Sequence, residues 1–268
     1  KDKTRFAVGT TAAPVVVEGK TVGVIAVFRD ISKEREIDRA KTEFVSLASH
    51  QLRTPLSIVK WYAEMLVNGD AGLLNSEQAQ FVRCLYDSNE RMIELVNALL
   101  SISRVESGRI RIDPMETDLG EMVGQLVTEL QPKISVKKLE LVQSIHPALP
   151  KIVVDPKLIR QVYLNLLTNA IKYTPEGGSI TIIISNDGEK VTSQVSDNGC
   201  GIPKEEQKRV FERFFRAPNA AAIDADGTGL GLYLVKAIVE SSHGKVWFKS
   251  EENKGSTFWF SLPITPGL

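Results

Sequence analysis

Apolar side chains recur with helical spacing between residues 31 and 106, and a glycine-containing segment at 69–72 divides them into two helices. Asn75 or Ser76 can cap the second helix, and Gly108 follows its predicted end. Both helices carry seams with steps of three and four residues, formed by Val45, Ala48, Leu52, Pro55, Val59, Tyr62 and Leu66, and by Phe81, Leu85, Ser88, Met92, Leu95, Leu99 and Ile102. Such seams need partners, so we expect two chains to form a four-helix bundle; the alternative is one hairpin packed on its own C-terminal domain.

Strand-like patterns flank these helices. Residues 1–30 predict a β-hairpin that turns at Glu18-Gly19-Lys20. Residues 110–268 mix both patterns, with strands predicted at Ile180–Ser185, Val191–Val195, Val246–Lys249 and Thr257–Leu262, and helices at Asp118–Gln131, Pro156–Tyr173 and Gly229–Ser242. This order predicts an α+β multidomain fold, in which a helical hairpin precedes an α/β sandwich with helices on one face of its sheet.

Composition and charge exclude several classes of function. The 268 residues include 33 Lys and Arg and 33 Asp and Glu, a balance that gives no support to a nucleic-acid or anionic-membrane partner. The two cysteines, Cys84 and Cys200, lie in different contexts, which fits a reducing cytosol. No apolar run approaches the roughly 20 residues that cross a bilayer. Because the chain starts at Lys1 without Met, we expect a cytoplasmic piece of a longer protein, whose membrane anchor could lie outside it.

His50 is the first candidate for chemistry. It lies two residues from both Ala48 and Leu52, so it points away from the apolar stripe of its helix. Position alone would make it an ordinary exposed histidine. Thr54, however, follows one turn later on nearly the same face, and Pro55 lacks the N–H that would complete the helix there. A loosened turn would let the imidazole, a competent nucleophile near neutral pH, enter a second domain's active site.

The residues His50, Arg53, Thr54, Pro55 and Leu56 resemble the phosphoacceptor box of sensor histidine kinases of the HisKA type. The resemblance implies that His50 carries a phosphoryl group and that Thr54 helps to orient water when a partner is dephosphorylated. The residue after the histidine is usually Glu or Asp, which is proposed to accept the proton of the imidazole. Here it is Gln51, which cannot act as a general base but could orient the ring by a hydrogen bond.

Four further segments carry residues suited to a nucleotide. The first, Asn165-Leu-Leu-Thr-Asn169-Ala-Ile-Lys172-Tyr173, lines one helix edge with amides, which suit Mg²⁺, and a lysine, which suits phosphate. The second, Asp197-Asn-Gly199-Cys-Gly201-Ile202-Pro203, follows a strand, where a carboxylate can accept a hydrogen bond from an adenine amino group. Alone, the first could be ordinary exposed asparagines and the second an ordinary turn.

The other two segments suggest a loop over the site. In Phe211-Glu-Arg-Phe214-Phe215-Arg216, we expect the aromatics to anchor a mobile loop and Arg216 to reach a phosphate. Gly227-Thr228-Gly229-Leu230-Gly231 opens a helix, whose unpaired N–H groups favour phosphate. The stretch between them, 217–226, has few bulky apolar residues, which is typical of a flexible lid.

In this order, the four segments resemble the N, G1, F and G2 boxes of the ATP-binding superfamily shared by histidine kinases, type II topoisomerases, a heat-shock chaperone and MutL-type repair proteins. The resemblance implies the Bergerat fold, a mixed sheet with helices on one face, and ATP with Mg²⁺ as cofactors. It implies that Asn169 ligates Mg²⁺, that Asn165 and Lys172 contact phosphate and that Asp197 reads adenine. The remaining predicted binding residues are Tyr173, Gly199, Gly201, Ile202, Arg216, Gly227, Thr228, Gly229, Leu230 and Gly231.

The chain is thereby divided into three parts. The hairpin within residues 1–30 resembles the last strands of a PAS sensor domain, and Arg29-Asp30-Ile31-Ser32 at its end resembles the motif that joins such a domain to a signalling helix. Residues 31–109 are expected to form the dimerisation and phosphotransfer hairpin, and residues 110–268 the ATP-binding domain. The implied partners are a second copy of the chain and the receiver domain of a response regulator, with no nucleic acid and no membrane contact by these residues. The alternatives are an ATP-driven clamp of the same superfamily, a scaffold without catalysis, and a phosphatase that uses Thr54 and Gln51.

Overall fold

The computed structural model describes residues 6–17, 19–106, 113–224 and 227–264, and in the long helices all side chains except those of 34–35, 38–39, 41–43, 46, 50, 99 and 101–106. The strands are β1 (Val8–Val17), β2 (Lys20–Asp30), β3 (Met115–Thr117), β4 (Glu140–Ile145), β5 (Ile152–Val154), β6 (Ser179–Asn186), β7 (Lys190–Asp197), β8 (Lys245–Glu251) and β9 (Gly255–Pro263). The helices are α1 (Ser32–Asn68), α2 (Ser76–Glu106), α3 (Leu119–Val136), α4 (Pro156–Tyr173), α5 (Pro218–Ile223) and α6 (Gly231–Ser241), with a short 3-10 helix at Gln207–Arg209.

The first two strands form the predicted antiparallel hairpin, although Glu18 of its turn lies outside the described residues. The hairpin is tied to α1, since the backbone N–H of Ile31 donates to the carbonyl oxygen of Ala7 over 3.0 Å. Its apolar side chains are exposed, Val24 to 67% and Phe28 to 70%. Two strands alone are marginally stable in water, so this surface fits the predicted role as part of a larger sheet, and the PAS assignment stays a prediction.

The helical hairpin α1–α2 has a well-defined connection. α1 ends at Gly69, which adopts the left-handed conformation with φ of 83°. Asn75 caps α2: its Oδ1 accepts from the N–H of Gln78, and Oε1 of Gln78 accepts from the N–H of Asn75. Of the two predicted caps, Asn75 is therefore the one used, while Gly108 lies outside the described residues. α1 continues through Pro55, so that residue does not end the helix, and its local loosening stays a prediction.

The predicted seams do not fill the space between α1 and α2. That space is occupied by other side chains, among them Ala63 and Val82, which are buried. Of the seam residues whose side chains are described, several are exposed, such as Leu52 to 51% and Leu85 to 62%, and the others are half-buried. A single hairpin thus leaves a long apolar surface uncovered, as expected for helices that pack against a second pair.

The C-terminal part is built on a five-stranded mixed sheet with strand order β4-β6-β7-β9-β8. β4 and β6 are parallel and the other neighbours are antiparallel. Alternate residues of β6 (Ile180, Ile182 and Ile184) are buried in one core cluster with the apolar stripes of α3, α4 and α6. The predicted fold class is confirmed, whereas β4, the small β3–β5 pair and α5 were not predicted.

The core makes one residue of β6 a sensitive test of this packing. Ile182→Ala should lower the free energy of unfolding by about 2–5 kcal/mol, because Ile182 is fully buried and its removal leaves a cavity. Val142→Ala on β4, where the side chain is 47% exposed, is the control and should change it by about 0.5 kcal/mol or less. Urea unfolding followed by Trp247 and Trp259 fluorescence, in a chain carrying Trp61→Phe, measures both. Equal effects would contradict the assigned core.

Candidate functional site

The edge of α4 opposite its buried stripe forms one wall of a cavity of about 580 Å³. Asp155 caps the helix by accepting hydrogen bonds from the N–H groups of Lys157 and Leu158. The predicted stripe of Ile159, Val162, Leu166 and Ala170 is buried, and this fixes the rotation of the helix. The same rotation directs Asn165, Asn169, Lys172 and Tyr173 to the cavity.

The C-terminal end of α4 is held by Lys137, a residue that sequence reasoning missed. Its Nζ donates hydrogen bonds to the carbonyl oxygens of Ile171 (2.9 Å), Lys172 (2.7 Å) and Thr174 (2.9 Å). A cation is favourable here because the last carbonyl groups of a helix lack partners and carry partial negative charge. Lys137 thereby fixes the backbone from which Lys172 and Tyr173 extend.

Asp197 lies at the end of β7, on another wall of the cavity. Its Oδ1 accepts hydrogen bonds from the N–H groups of Gly199 (2.9 Å) and Ser256 (3.2 Å). Loss of water around the carboxyl raises the pKa of Asp197, and these two hydrogen bonds offset the rise only in part. Among the described residues both hydrogen bonds use Oδ1, which leaves Oδ2 to accept a hydrogen bond from a ligand.

The loop after Asp197 approaches its neighbours so closely that glycine is required. A Cβ at Gly199 would lie 2.5 Å from the carbonyl oxygen of Tyr173, and one at Gly201 would lie 2.0 Å from that of Glu251. Between them, the N–H of Cys200 donates to the carbonyl oxygen of Tyr173 over 3.2 Å. The N–H of Ile202 donates to Oγ of Ser250. The loop is therefore clamped between the end of α4 and strand β8.

The cavity is also lined by two cations, Lys172 and Arg216. Nζ of Lys172 lies 2.5 Å from Oδ2 of Asp224, and a guanidinium nitrogen of Arg216 lies 3.6 Å from the same oxygen. Gly227, Gly229 and Gly231 lie beside this group and also line the cavity. α6 begins at Gly231 without a side-chain cap, so its first N–H groups remain for a ligand.

The aromatic segment before the lid behaves only partly as predicted. Phe211 packs edge-to-face on Phe248, with ring centres 5.8 Å apart, so its anchoring role is confirmed. The same expectation is wrong for Phe214, which is 65% exposed. Its backbone adopts the left-handed conformation, with φ of 59°, and lies against Gly229, where a Cβ would come 2.6 Å from the carbonyl carbon of Phe214. The backbone of Phe214 therefore packs against the glycine-rich turn at Gly229, and its ring faces solvent.

Among the predicted binding residues, all except Gly199 and Leu230 line the cavity. Gly199 closely approaches the carbonyl oxygen of Tyr173, which itself lines the cavity, and the side chain of Leu230 is buried. Sequence reasoning missed Ser256, Asp224 and a wall contributed by α2. Asp224 falls in the predicted lid, but nothing in its local sequence indicated that its carboxylate would turn inward.

The α2 wall consists of Asp87, Glu90, Arg91 and Glu94. Lys60 of α1 forms an ion pair with this wall, since its Nζ is 2.9 Å from Oε1 of Glu90. Lys60 follows His50 by ten residues, so the wall lies about 15 Å along the helix from His50. Gln51 and Thr54 are exposed on α1 and do not line the cavity, and the side chain of His50 lies outside the described part of the chain.

Comparison with known proteins supplies the family. Residues 154–266 match the family described as Histidine kinase-, DNA gyrase B-, and HSP90-like ATPase, and residues 40–108 match the His Kinase A (phospho-acceptor) domain. The catalytic domain of histidine kinase ThkA is 30% identical, with a TM-score of 0.51, over 57% of this chain and 99% of that domain. The chain belongs to the sensor histidine kinases. It is 34% identical to sensor histidine kinase WalK of Bacillus subtilis over 248 residues, 91% of this chain and 40% of that protein.

Other sensor histidine kinases are similar over most of the chain. The circadian input-output histidine kinase CikA of Synechococcus elongatus is 33% identical over 226 residues, 84% of this chain and 30% of that protein. Full-length ShkA in complex with AMPPNP is 30% identical with a TM-score of 0.69, over 84% of this chain and 46% of that one. The chain spans less than half the length of WalK, CikA and ShkA. Among the described residues, no helix has the length and apolar character needed to cross a membrane.

The cavity fits an adenine nucleotide on its own chemistry. Nδ2 of Asn165 is buried without a hydrogen-bond partner among the described residues, as expected for a donor reserved for a ligand. Asp197 supplies an acceptor for an amino group, and Lys172 and Arg216, which line the same cavity, supply positive charge for phosphate. Within the described part of the chain, no group of three His, Cys, Asp or Glu side chains forms a metal site, so a divalent cation would depend on phosphate oxygens and Asn169.

The glycine contacts around Asp197 can be tested by substitution. Gly199→Ala should destabilise the domain by about 1–3 kcal/mol, because the new Cβ would overlap the carbonyl oxygen of Tyr173. Gly124→Ala in α3 is the matched control: its Cβ would enter open space, and the change should stabilise the helix by about 0.5–1 kcal/mol. Urea unfolding measures both. A Gly199→Ala protein as stable as the wild type would show that the loop is not clamped to α4.

Proposed function

We propose that this chain is the kinase core of a two-component sensor, which binds ATP with Mg²⁺ and transfers the γ-phosphoryl group to His50. The observation that carries the proposal is the composition of the cavity lining. Asp197, an acceptor for adenine, and the two cations Lys172 and Arg216, which suit phosphate, line the same cavity. The phosphoacceptor match over residues 40–108 supplies the second half of the reaction. The AMPPNP complex of ShkA, which is 30% identical, supports the nucleotide assignment.

The binding roles follow from the geometry of the site. Asp197 accepts a hydrogen bond from the adenine amino group. Asn165 donates a hydrogen bond to the phosphates, and Lys172 neutralises part of their charge. Asn169 would hold Mg²⁺, which would offset the charge of the phosphate oxygens. The remaining predicted binding residues shape the loops on either side. Catalysis then depends mainly on positioning and charge neutralisation.

The phosphoacceptor half of the reaction uses α1. The lone-pair nitrogen of the His50 ring forms a bond to the γ-phosphorus while the bond from that phosphorus to the bridging oxygen breaks, and ADP leaves with that oxygen. The proton on the other ring nitrogen is then lost to water, and Gln51 orients the ring by a hydrogen bond without taking that proton. Thr54 orients water in a separate reaction, the dephosphorylation of the partner protein. Because the cavity faces the α2 wall about 15 Å along the helix from His50, transfer needs either a shift of the ATP-binding domain or an acceptor from a second chain.

The proposed assembly is a homodimer that serves a response regulator. The exposed seam, with Leu52, Tyr62, Leu85 and Met92 each more than two-fifths exposed, offers an apolar surface for a second hairpin. The receiver domain of the regulator would dock beside His50 on the bundle and take the phosphoryl group on an aspartate. We assign residues 31–109 to dimerisation and phosphotransfer, residues 110–268 to catalysis, and residues 1–30 to the end of a PAS domain.

An ATP-driven clamp is less well supported. Such a protein needs an acid beside the first asparagine of the N box to activate water, and residues 161–166 contain no Asp or Glu. The phosphoacceptor box also has no purpose in a clamp. The kinase assignment therefore accounts for more of the chain.

The three histidines allow a direct test with matched controls. Incubation with γ-labelled ATP and Mg²⁺ should label the wild type, His146→Ala and His243→Ala, whereas His50→Ala should lose the label because the proposed nucleophile is gone. The label should be labile to acid and stable to alkali, as expected of a phosphoramidate, and His50→Ala should still bind ATP. Label that persists in His50→Ala, or that is stable to acid, would contradict the assignment.

A further inference from the structure

The lid helix α5 (Pro218–Ile223) is attached to the rest of the domain near both of its ends. Near its start, Nδ2 of Asn219 donates hydrogen bonds to the carbonyl oxygens of Gly201 (3.0 Å) and Cys200 (3.4 Å). These carbonyl groups belong to the loop that follows Asp197, on the adenine side of the cavity. Directly after α5, Asp224 turns its side chain to the phosphate side. The lid is therefore attached both to the loop that follows Asp197 and to Lys172.

The carboxylate of Asp224 lies among the groups assigned to phosphate. Its Oδ2 is 2.5 Å from Nζ of Lys172 and 3.6 Å from a guanidinium nitrogen of Arg216. The side chain of Asp224 is only 15% exposed, and that of Arg216 only 18%. A Cβ at Gly227 would lie 2.7 Å from Oδ2 of Asp224, so the carboxylate also packs against the backbone of the glycine-rich turn.

The carboxylate of Asp224 resembles a phosphate group in its chemistry. Carboxylate and phosphate oxygens both accept charge-assisted hydrogen bonds from lysine and arginine. Two cations beside each other in a half-buried site are costly unless an anion is present, and Asp224 supplies that anion from within the chain. The negative charge of Asp224 also contributes to the raised pKa of Tyr173, after the larger effect of burial, which agrees with a carboxylate inside the cavity.

We propose that Asp224 occupies the phosphate subsite in place of the nucleotide, so that ATP must displace this carboxylate from Lys172 and Arg216 in order to bind. The inference rests on the proposed nucleotide site and adds a residue that lowers its affinity. The attachment through Asn219 can persist while the attachment through Asp224 is released, because the two attachments use different residues of the lid and different partners. Release of Asp224 thus frees the C-terminal end of the lid whenever phosphate enters.

The proposal predicts a selective gain of affinity when the charge is removed. Asp224→Asn should tighten the binding of ATP and ADP, each with Mg²⁺, by about fivefold to tenfold, which corresponds to the loss of one competing ion pair. The affinity for adenosine should not change, because adenosine has no phosphate with which Asp224 competes. Glu176→Gln is the matched control, since Glu176 forms an exposed ion pair with Lys138 and does not line the cavity. Isothermal titration of the three ligands measures the effect.

A measurement without nucleotide tests the contact itself. Amide hydrogen exchange in α5 should be faster in Asp224→Asn than in the wild type and in Glu176→Gln, since one attachment of the lid is lost. Faster exchange with unimproved ATP affinity would overturn the competition, and weaker ATP binding would show that Asp224 serves the bound nucleotide instead. Unchanged exchange would overturn the attachment. If the wild type bound no ATP at all, the nucleotide site would fail, while the exchange result would still decide on the contact.

Discussion

The candidate site depends on the close approach of three backbone segments around Asp197. The loop after β7 touches the end of α4 at Gly199 and the β8–β9 turn at Gly201, at distances that exclude a side chain. The hydrogen bond from Cys200 to the carbonyl oxygen of Tyr173 connects the two halves of the cavity. Because Lys137 holds that same end of α4, the carboxylate of Asp197 and the backbone of Lys172 are fixed relative to one another.

Charge is distributed along the cavity in a way that suits a nucleotide. The desolvated carboxylate of Asp197 lines the cavity together with Lys172 and Arg216, whose charges Asp224 balances. The wall contributed by α2 carries the acids Asp87, Glu90 and Glu94, of the same sign as phosphate. The same cavity therefore brings together the carboxylate of Asp197, the attachment of the lid and a wall of α2.

Much of the fold could be predicted from the sequence, because it rests on local rules. The helices α1 and α2, the connection at Gly69 and Asn75, and the hairpin β6–β7 follow from apolar spacing, capping and turn residues. The parallel pairing of β4 with β6 could not be predicted, since it joins segments far apart in the chain.

The residues of the candidate site also divide into those that a local sequence pattern predicts and those that depend on tertiary contacts. Residues such as Asp197 and Asn169 were identified from motifs, whose spacing is written in the sequence. Lys137 and the α2 wall were not, because their roles depend on tertiary contacts that no local pattern records. Phe214 was misjudged because its left-handed backbone, set by contact with Gly229, turns a residue of aromatic type toward solvent.

The central claim is that this cavity binds ATP through Asp197, and a titration of Asp197→Asn with Mg²⁺ and ATP tests it most directly. The asparagine can keep the hydrogen bonds from Gly199 and Ser256, but it would present an amide N–H where the adenine amino group needs an acceptor. We expect the affinity for ATP to fall by about tenfold to a hundredfold, in a variant whose urea unfolding shows an intact domain. An Asp197→Asn protein that binds ATP as tightly as the wild type would contradict the account.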